Sequence, residues 1–200
     1  YGTMNGKDGK PFKTRSGDTI KLNDIINLVT DKAKEKLVAN GVQNAGTIAE
    51  SIGVGAMKFG DLSNEVNRDY LFDLDAFMSF EGKTGPYIQY TAVRIKSLLA
   101  KAGEFKYGFD LATKEENALI IEILKMIDAF YNALNNYAPN LVCNAVYSLA
   151  SAYSTFYNNV RILTETNKVK RNSYLSLSKL VLNYLEKACD LLAITIPERM

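Results

Sequence analysis

The chain has 200 residues, of which 47% are hydrophobic, and its 24 Lys and Arg residues against 22 Asp and Glu residues give a formal net charge of +2. A chain of this length can bury a substantial core, and a nearly balanced charge neither requires nor excludes a nucleic-acid partner. The sequence contains no histidine, which excludes histidine acid–base catalysis, a Ser-His-Asp triad and a histidine zinc site.

The first predicted element is a tight hairpin or looped turn in residues 1–14, where Asn5-Gly6 and Asp8-Gly9 lie between two short strands. Cations alternate with glycines here, so backbone amides and positive side chains could converge on one anion such as a phosphate. A solvated basic hairpin is the alternative, and composition alone favours it. The cations are Lys7, Lys10, Lys13, Arg15 and Lys21.

A helix is predicted from Leu22 to the Asn40-Gly41 stop, because its apolar residues share one helix face. A second helix is predicted over residues 45–52, with Gly53-Val54-Gly55 as its break. Residues 64–69 are predicted to form an exposed loop, residues 73–80 a short helix capped by Asp73, and residues 81–85 a hinge. The apolar face of the first helix comprises Leu22, Ile25, Ile26, Val29, Ala33 and Leu37.

Four further helices with short connections are predicted from Pro86 almost to the end of the chain. Pro86 begins the first, Thr113 and Glu116 form a capping box before the second, the third begins near Asn140, and the fourth covers residues 172–193. The expected fold is mainly α: a C-terminal helical bundle, up-and-down or orthogonal, preceded by a small α+β segment with a short hairpin. The second bundle helix is expected to bury Leu119, Ile120, Ile123, Leu124, Ile127, Phe130, Tyr131 and Leu134.

The cysteines and the hydropathy pattern indicate neither a metal site nor a membrane span. Cys143 and Cys189 lie within separate apolar helical patterns, so we interpret both as buried thiols. No apolar stretch reaches the roughly 18 residues of a membrane span, and the first residues lack the apolar core of a secretory signal. We therefore expect no metal, no membrane partner and a cytoplasmic location.

Tyr87, Tyr90 and Arg94 lie three and four residues apart and share one face of the first bundle helix. Two flat rings suit stacking on unpaired bases, and a guanidinium can contact a phosphate or a base plane. The alternative is that the rings pack on the next helix with their hydroxyls at the rim. Further rings are available at Tyr147, Tyr153 and Tyr157, and a basic connection that could meet a phosphate backbone contains Arg161, Lys168, Lys170 and Arg171.

A series of collinear motifs resembles the C-terminal part of bacterial arginyl-tRNA synthetases. Each piece alone is weak evidence, whereas their common order along nearly the whole chain is specific. The pieces are Lys10-Pro-Phe-Lys-Thr-Arg-Ser-Gly17, Val54-Gly-Ala-Met-Lys-Phe-Gly-Asp-Leu-Ser63, Asp69-Tyr-Leu-Phe-Asp73, Ser79-Phe-Glu-Gly82, Gly85-Pro-Tyr-Ile-Gln-Tyr90 with Arg94, and Pro197-Glu-Arg-Met200.

This resemblance implies a KMSKS-type loop of a class I synthetase at the first piece. In the family, that loop stabilises the ATP phosphates during arginine adenylation. Lys13 and Arg15 are then the phosphate-facing catalytic cations, with Thr14, Ser16 and Gly17 shaping the loop. ATP and Mg²⁺ are cofactors of the parent arginine–tRNA ligase, and none is expected in this chain alone.

The resemblance also implies that residues 81–200 form a DALR-type anticodon-binding bundle and that residues 1–80 end the catalytic half. The residues expected to contact arginine tRNA are Tyr87, Tyr90, Arg94, Tyr157 and Met200. The HIGH motif of the class is absent, so we expect a tRNA-binding fragment that cannot charge tRNA alone. We expect a monomeric parent enzyme with no DNA partner. The competing hypothesis is a helical protein-interaction or structural module whose tyrosines are core.

Overall fold

The computed structural model describes residues 2–11, 21–39, 41–42 and 45–200. These residues form seven helices and one two-stranded parallel sheet, which confirms the mainly helical fold. The strands are β1 (Met4–Asn5) and β2 (Tyr70–Leu71). The helices are α1 (Leu22–Ala39), α2 (Ala45–Leu62), α3 (Leu74–Phe77), α4 (Gly85–Ala102), α5 (Lys114–Asn136), α6 (Pro139–Asn159) and α7 (Lys168–Leu191).

The N-terminal segment forms the looped turn that was predicted, but its strand pairs elsewhere. The backbone N–H of Gly6 donates to the carbonyl of Lys10 at 2.7 Å, and Gly9 takes the positive φ of 73° that closes the turn. Asn5 forms a single antiparallel bridge with Pro11 across the turn, and β1 otherwise pairs in parallel with β2. A parallel partner this distant in sequence leaves no local signal.

The helix α1 begins and ends where the sequence predicts. Gly41 ends it with a φ of 75°, and the N–H of Val42 donates back to the carbonyl of Leu37 at 3.0 Å. The buried face is the predicted one except at its edge, since Leu22 is 59% exposed. Its buried residues are Ile25, Val29, Ala33 and Leu37.

The predicted break at Gly53-Val54-Gly55 is wrong, because α2 continues without interruption to Leu62. The glycines are needed for close helix packing instead. A Cβ atom on Gly53 would lie 2.7 Å from the carbonyl carbon and oxygen of Val29 in α1. Since no larger residue allows this approach, the packing of α1 on α2 outweighs the low helix propensity of glycine.

The elements after α2 follow the predicted order with small shifts in their bounds. Residues 64–69 form a mostly exposed loop, and the side chain of Asp73 caps α3 by accepting from two backbone N–H groups. Thr84 caps α4, and the Thr113–Glu116 capping box begins α5. Asn167 caps α7, which therefore begins several residues earlier than predicted. The four long helices pack as a bundle in which α5 lies mainly on α6, and α4 on α7.

The predicted core face of α5 is only half correct. Leu119 and Ile123 are buried against the bundle, whereas Ile127 is 54% exposed. The helix carries two adjacent stripes with the spacing of three and four residues, and the described residues cover only one of them. The predicted core residues that are exposed instead are Leu124, Ile127, Tyr131 and Leu134.

The buried apolar residues form two clusters that meet between α2 and α4. One cluster fills the bundle and includes Ile88 and Ile194, and the other joins α1, α2 and the α3 region. The C-terminal segment, residues 193–200, touches both, because Ile194 belongs to the first and Met200 packs against the second. In the described part of the chain, no helix has the length and apolar character needed to cross a membrane.

Candidate functional site

Helix α4 places three of the predicted site residues along one side. The hydroxyl of Thr84 accepts a hydrogen bond from the backbone N–H of Tyr87 at 3.2 Å, which fixes the first turn. The opposite side of the helix is buried in the bundle, whereas Tyr90 is exposed, and Tyr87 and Arg94 are half-buried at the edge of the core. The buried residues of that core face include Ile88, Ala92, Ile95 and Leu98.

Arg94 is the centre of a cluster that joins α4 to α6. Its guanidinium carbon lies 4.5 Å from the ring centroid of Tyr157 and 5.6 Å from that of Tyr90. Its Nη2 atom donates to the hydroxyl of Ser154 at 2.9 Å, and the hydroxyl of Tyr87 lies 3.0 Å from the same oxygen. Four predicted tRNA-contacting residues therefore share one surface, held together by Ser154.

One donor group of this cluster is buried and unsatisfied in the part of the chain that the structure describes. Within the described residues, the buried Nε atom of Arg94 has no hydrogen-bond partner. A buried guanidinium N–H without an acceptor is energetically unfavourable, so this side of the guanidinium is a point at which the cluster gains stability if it rearranges to admit an acceptor. The site thus combines aromatic faces with a fixed cation, as base-stacking surfaces do.

The exposure of the tyrosines argues against a purely structural role for all of them. Tyr90 is 42% exposed, and Tyr87 and Tyr157 are half-buried. Tyr153, in contrast, is fully buried and donates its hydroxyl to Ser178 at 3.2 Å, and its burial raises its pKa. Tyr147 is half-buried and packs against Tyr87 with the ring centroids 5.8 Å apart. Of the additional rings that the sequence offered on α6, Tyr157 is the one that contacts Arg94.

A cavity of about 370 Å³ opens beside Tyr90. Its walls are predominantly apolar, and Met200 places the end of the chain in this wall. The volume lies within the range of small-molecule sites, roughly 300–1,000 Å³. The lining residues are Leu37, Val42, Phe80, Tyr90 and Met200. The structure therefore brings the fifth predicted contact residue next to the Arg94 cluster.

The predicted phosphate loop cannot be placed in the same way. Lys13, Thr14, Arg15, Ser16 and Gly17 lie outside the described residues. Of the other cations proposed to converge there, Lys10 and Lys21 are exposed.

Lys7 instead forms an ion pair. Its ammonium lies 3.1 Å from a carboxylate oxygen of Asp73 and 4.0 Å from one of Asp75. The hydrogen bond from Lys7 lowers the pKa of the Asp73 carboxyl. Lys7 therefore helps to fix the start of α3, and the idea that it contributes to an anion site is not supported.

One of the basic residues predicted around the start of α7 makes a structural contact within the protein. Arg171 donates to the carbonyl of Ala102 at 3.2 Å, so it stabilises the end of α4. Arg161 and Lys168 are exposed. Across residues 2–11, 21–39, 41–42 and 45–200, no three acidic or cysteine side chains are grouped to hold a metal ion.

The residues that complete the site were not predicted from the sequence. Ser154 lies in a run of small residues on α6 and carried no signal. Leu37 and Val42 come from the end of α1, and their approach to Tyr90 depends on tertiary packing. Phe80 could have been found, because it belongs to one of the recognised motifs.

Two family models match the chain. Residues 88–200 match the DALR anticodon binding domain, and residues 1–74 match the catalytic domain of class I (R) tRNA synthetases. Among curated relatives, the arginine–tRNA ligase of Alkaliphilus oremlandii is 41% identical over 211 aligned positions, and that of Agathobacter rectalis is 39% identical over 217. The matches cover 100% of this chain but 35% and 36% of those relatives.

Solved structures give the same result. The Thermus thermophilus arginyl-tRNA synthetase superposes with a TM-score of 0.89 at 26% identity, covering 100% of this chain and 35% of that one. The Plasmodium falciparum arginyl-tRNA synthetase gives a TM-score of 0.81 at 28% identity, covering 90% of this chain and 34% of that one. The chain thus spans about a third of the length of the proteins it matches.

Proposed function

The chain belongs to the arginyl-tRNA synthetase family, and from this premise we propose that it binds arginine tRNA at the anticodon stem and loop. The DALR domain implies tRNA binding. The observation that carries the proposal is the contact of Arg94 with the rings of both Tyr90 and Tyr157, beside the cavity that Met200 lines.

The chemistry of this surface fits an RNA loop. Anticodon loops present unpaired bases, which proteins bind by stacking on aromatic rings and on guanidinium planes. Tyr90 offers an exposed ring, and Arg94 places a positive charge beside it. The adjacent cavity has aromatic and thioether walls, which adapt to a flat ligand. Tyr87 supports the surface from below through Ser154 and Tyr147.

We propose further that residues 81–200 are the tRNA-binding domain and that residues 1–80 belong to the catalytic half of a longer arginine–tRNA ligase. The separate family matches to residues 88–200 and 1–74 support this division. The 200 residues contain no histidine and hence no HIGH motif. We therefore propose that these 200 residues alone do not charge tRNA.

In the longer enzyme, Lys13 and Arg15 would face the phosphates of ATP, with Thr14, Ser16 and Gly17 shaping the loop. ATP with Mg²⁺ would supply the activation of the arginine carboxylate. The support is the match of residues 1–74 to the class I catalytic domain. By the same family relation we propose a monomeric, cytoplasmic enzyme with no DNA partner.

Tyr90→Ala tests the tRNA-binding proposal. The 200-residue chain is titrated with an arginine tRNA transcript at several salt concentrations. If the Tyr90 ring stacks on a base, its loss weakens binding by about 1–3 kcal/mol. Tyr131→Ala is the matched control, because this tyrosine is 68% exposed on α5 and belongs to neither the Arg94 cluster nor the cavity.

Two results would contradict the proposal. One is a wild-type chain that shows no saturable binding even at low salt, where phosphate contacts are strongest. The other is an equal effect of Tyr90→Ala and Tyr131→Ala, which would mean that the Tyr90 ring does not determine affinity. Circular dichroism of both variants confirms that each remains helical.

A further inference from the structure

Gln89 is a fully buried amide at the junction of α2, α4 and the C-terminal segment. Its Nε2 atom donates to two backbone carbonyls, that of Ser51 at 3.0 Å and that of Thr195 at 2.7 Å. Gln89 Oε1 has no hydrogen-bond partner in the part of the chain that the structure describes. Burying an amide costs free energy that its hydrogen bonds offset, and here both hydrogen bonds of Nε2 join α4 to other parts of the chain, one of them to the C-terminal segment.

Two glycines make this contact possible. A Cβ atom on Gly55 would lie 2.6 Å from Nε2 of Gln89, and one on Gly85 would lie 2.5 Å from the carbonyl oxygen of Gly55. Because both residues lack a Cβ, α2 and α4 approach closely enough for the Gln89 amide to span from one helix to the C-terminal segment.

Two side chains of α2 hold the same segment. The hydroxyl of Ser51 donates to the carbonyl of Thr195 at 3.0 Å, and the ammonium of Lys58 donates to the carbonyl of Ala193 at 2.5 Å. Ala193 has a positive φ of 54°, an unfavourable backbone conformation for a residue with a Cβ, where the chain turns out of α7. We call Gln89, Ser51 and Lys58 the tail clamp.

The tail clamp lies directly behind the candidate site. Gln89 and Tyr90 are neighbours on α4, with Gln89 buried and Tyr90 exposed. The segment that Gln89 holds at Thr195 continues to Met200, which lines the cavity together with Tyr90. The hydrogen bonds from Gln89 and Ser51 to Thr195 therefore hold the start of the segment that ends at Met200, together with the burial of Ile194 and Pro197.

We propose that Gln89 is a positioning residue for RNA recognition: by holding Thr195 it fixes Met200 against Tyr90, so that the two side chains form one binding cavity. Gln89 itself contacts no RNA. This inference rests on the proposed function, since the cavity is taken to receive part of the anticodon loop.

The first test uses the free chain and needs no RNA. The chain is labelled with ¹³C in its methionine methyl groups, and Met200→Leu identifies the Met200 resonance. In the wild type, the rings of Tyr90 and Phe80 shift this resonance from its random-coil position. Gln89→Leu should move it toward random coil, because the carbonyl of Thr195 then keeps only the hydrogen bond from Ser51 and the methyl group is held less firmly beside the rings.

Thr91→Val is the matched control for this test. Thr91 is equally buried on α4, but its hydroxyl donates within the helix, to the carbonyl of Tyr87 at 2.9 Å. Thr91→Val should leave the Met200 resonance in place. An unchanged resonance in a folded Gln89→Leu chain overturns the proposal. If Gln89→Leu fails to fold, Gln89→Asn must shift the same resonance, because its amide is one methylene shorter and does not reach the carbonyl of Thr195.

The second test measures RNA binding. Gln89→Leu and Met200→Ala should each weaken binding of the arginine tRNA transcript by roughly 5- to 100-fold, the loss of one base contact. The double variant should bind no more weakly than the weaker single variant, because both changes remove the same contact. If the fold-losses in affinity of the two single variants multiply in the double variant, the positioning role of Gln89 is overturned. If the wild-type chain binds no tRNA, the proposed function fails, and the methionine resonance still decides whether Gln89 positions Met200.

Discussion

Two replacements of Arg94 distinguish the role of its planar guanidinium group from the role of its positive charge. Arg94→Lys keeps the positive charge but removes the planar group that lies 4.5 Å from the Tyr157 ring centroid and the donor that binds Ser154 at 2.9 Å. Arg94→Gln also removes the charge. Cation–π contacts contribute about 0.5–2 kcal/mol each, depending on how far they are desolvated. Both contacts of Arg94 are within the protein, so their loss acts on tRNA binding by releasing the Tyr90 ring from its place beside the guanidinium. Since one stacked base contributes about 1–3 kcal/mol, we expect Arg94→Lys, which loosens this ring without removing it, to weaken tRNA binding by about 1–2 kcal/mol.

The assay is a titration of arginine tRNA at several salt concentrations. If Arg94 also neutralises a phosphate of the single-stranded loop, Arg94→Gln reduces the slope of log affinity against log salt by about 0.7, whereas Arg94→Lys leaves it unchanged. Arg68→Lys and Arg68→Gln are the controls, since Arg68 is exposed and pairs with Glu65 away from the site. Wild-type affinity in Arg94→Lys would refute the stacking role, and an unchanged slope in Arg94→Gln would refute the phosphate contact.

Two further predictions concern packing. Gly53→Ala should lower the free energy of unfolding by about 1–3 kcal/mol, because the added Cβ would meet the backbone of Val29. Gly46→Ala should raise the free energy of unfolding by up to about 1 kcal/mol, because Gly46 faces open space on the same helix. Guanidinium chloride denaturation measures both, and equal effects would contradict the packing argument. Burial raises the pKa of Cys143 to about 11 and that of Cys189 to about 12. Iodoacetamide at pH 8 should therefore alkylate these thiols only after unfolding, and rapid labelling of the native chain would disprove their burial.

Local signals in the sequence predicted most of the helix bounds. The Thr113–Glu116 capping box and the Asn40-Gly41 stop act within one helix turn, so the residues that form them are close in sequence. The break expected at Gly53 failed because its cause is not local. The glycine is there for contact with α1, and a sequence pattern cannot distinguish a glycine that ends a helix from one that lets two helices touch.

The same distinction applies to the candidate site. The spacing of Tyr87, Tyr90 and Arg94 predicted correctly that one helix presents them together. The approach of Tyr157 to Arg94 depends on how α6 packs on α4, and the composition of the cavity depends on where α1 ends. On α5, residues that were expected to be buried are exposed. Helical periodicity identifies apolar faces, but it does not show which of them another element covers.

Chemical footprinting of arginine tRNA bound to the 200-residue chain tests the central claim most directly. The account predicts protection of unpaired bases in the anticodon loop, and loss of that protection in the Tyr90→Ala chain but not in the Tyr131→Ala chain. Protection confined to the acceptor stem, or a loop pattern that Tyr90→Ala leaves unchanged, would contradict the assignment of the Arg94 cluster and its cavity as the anticodon-loop site.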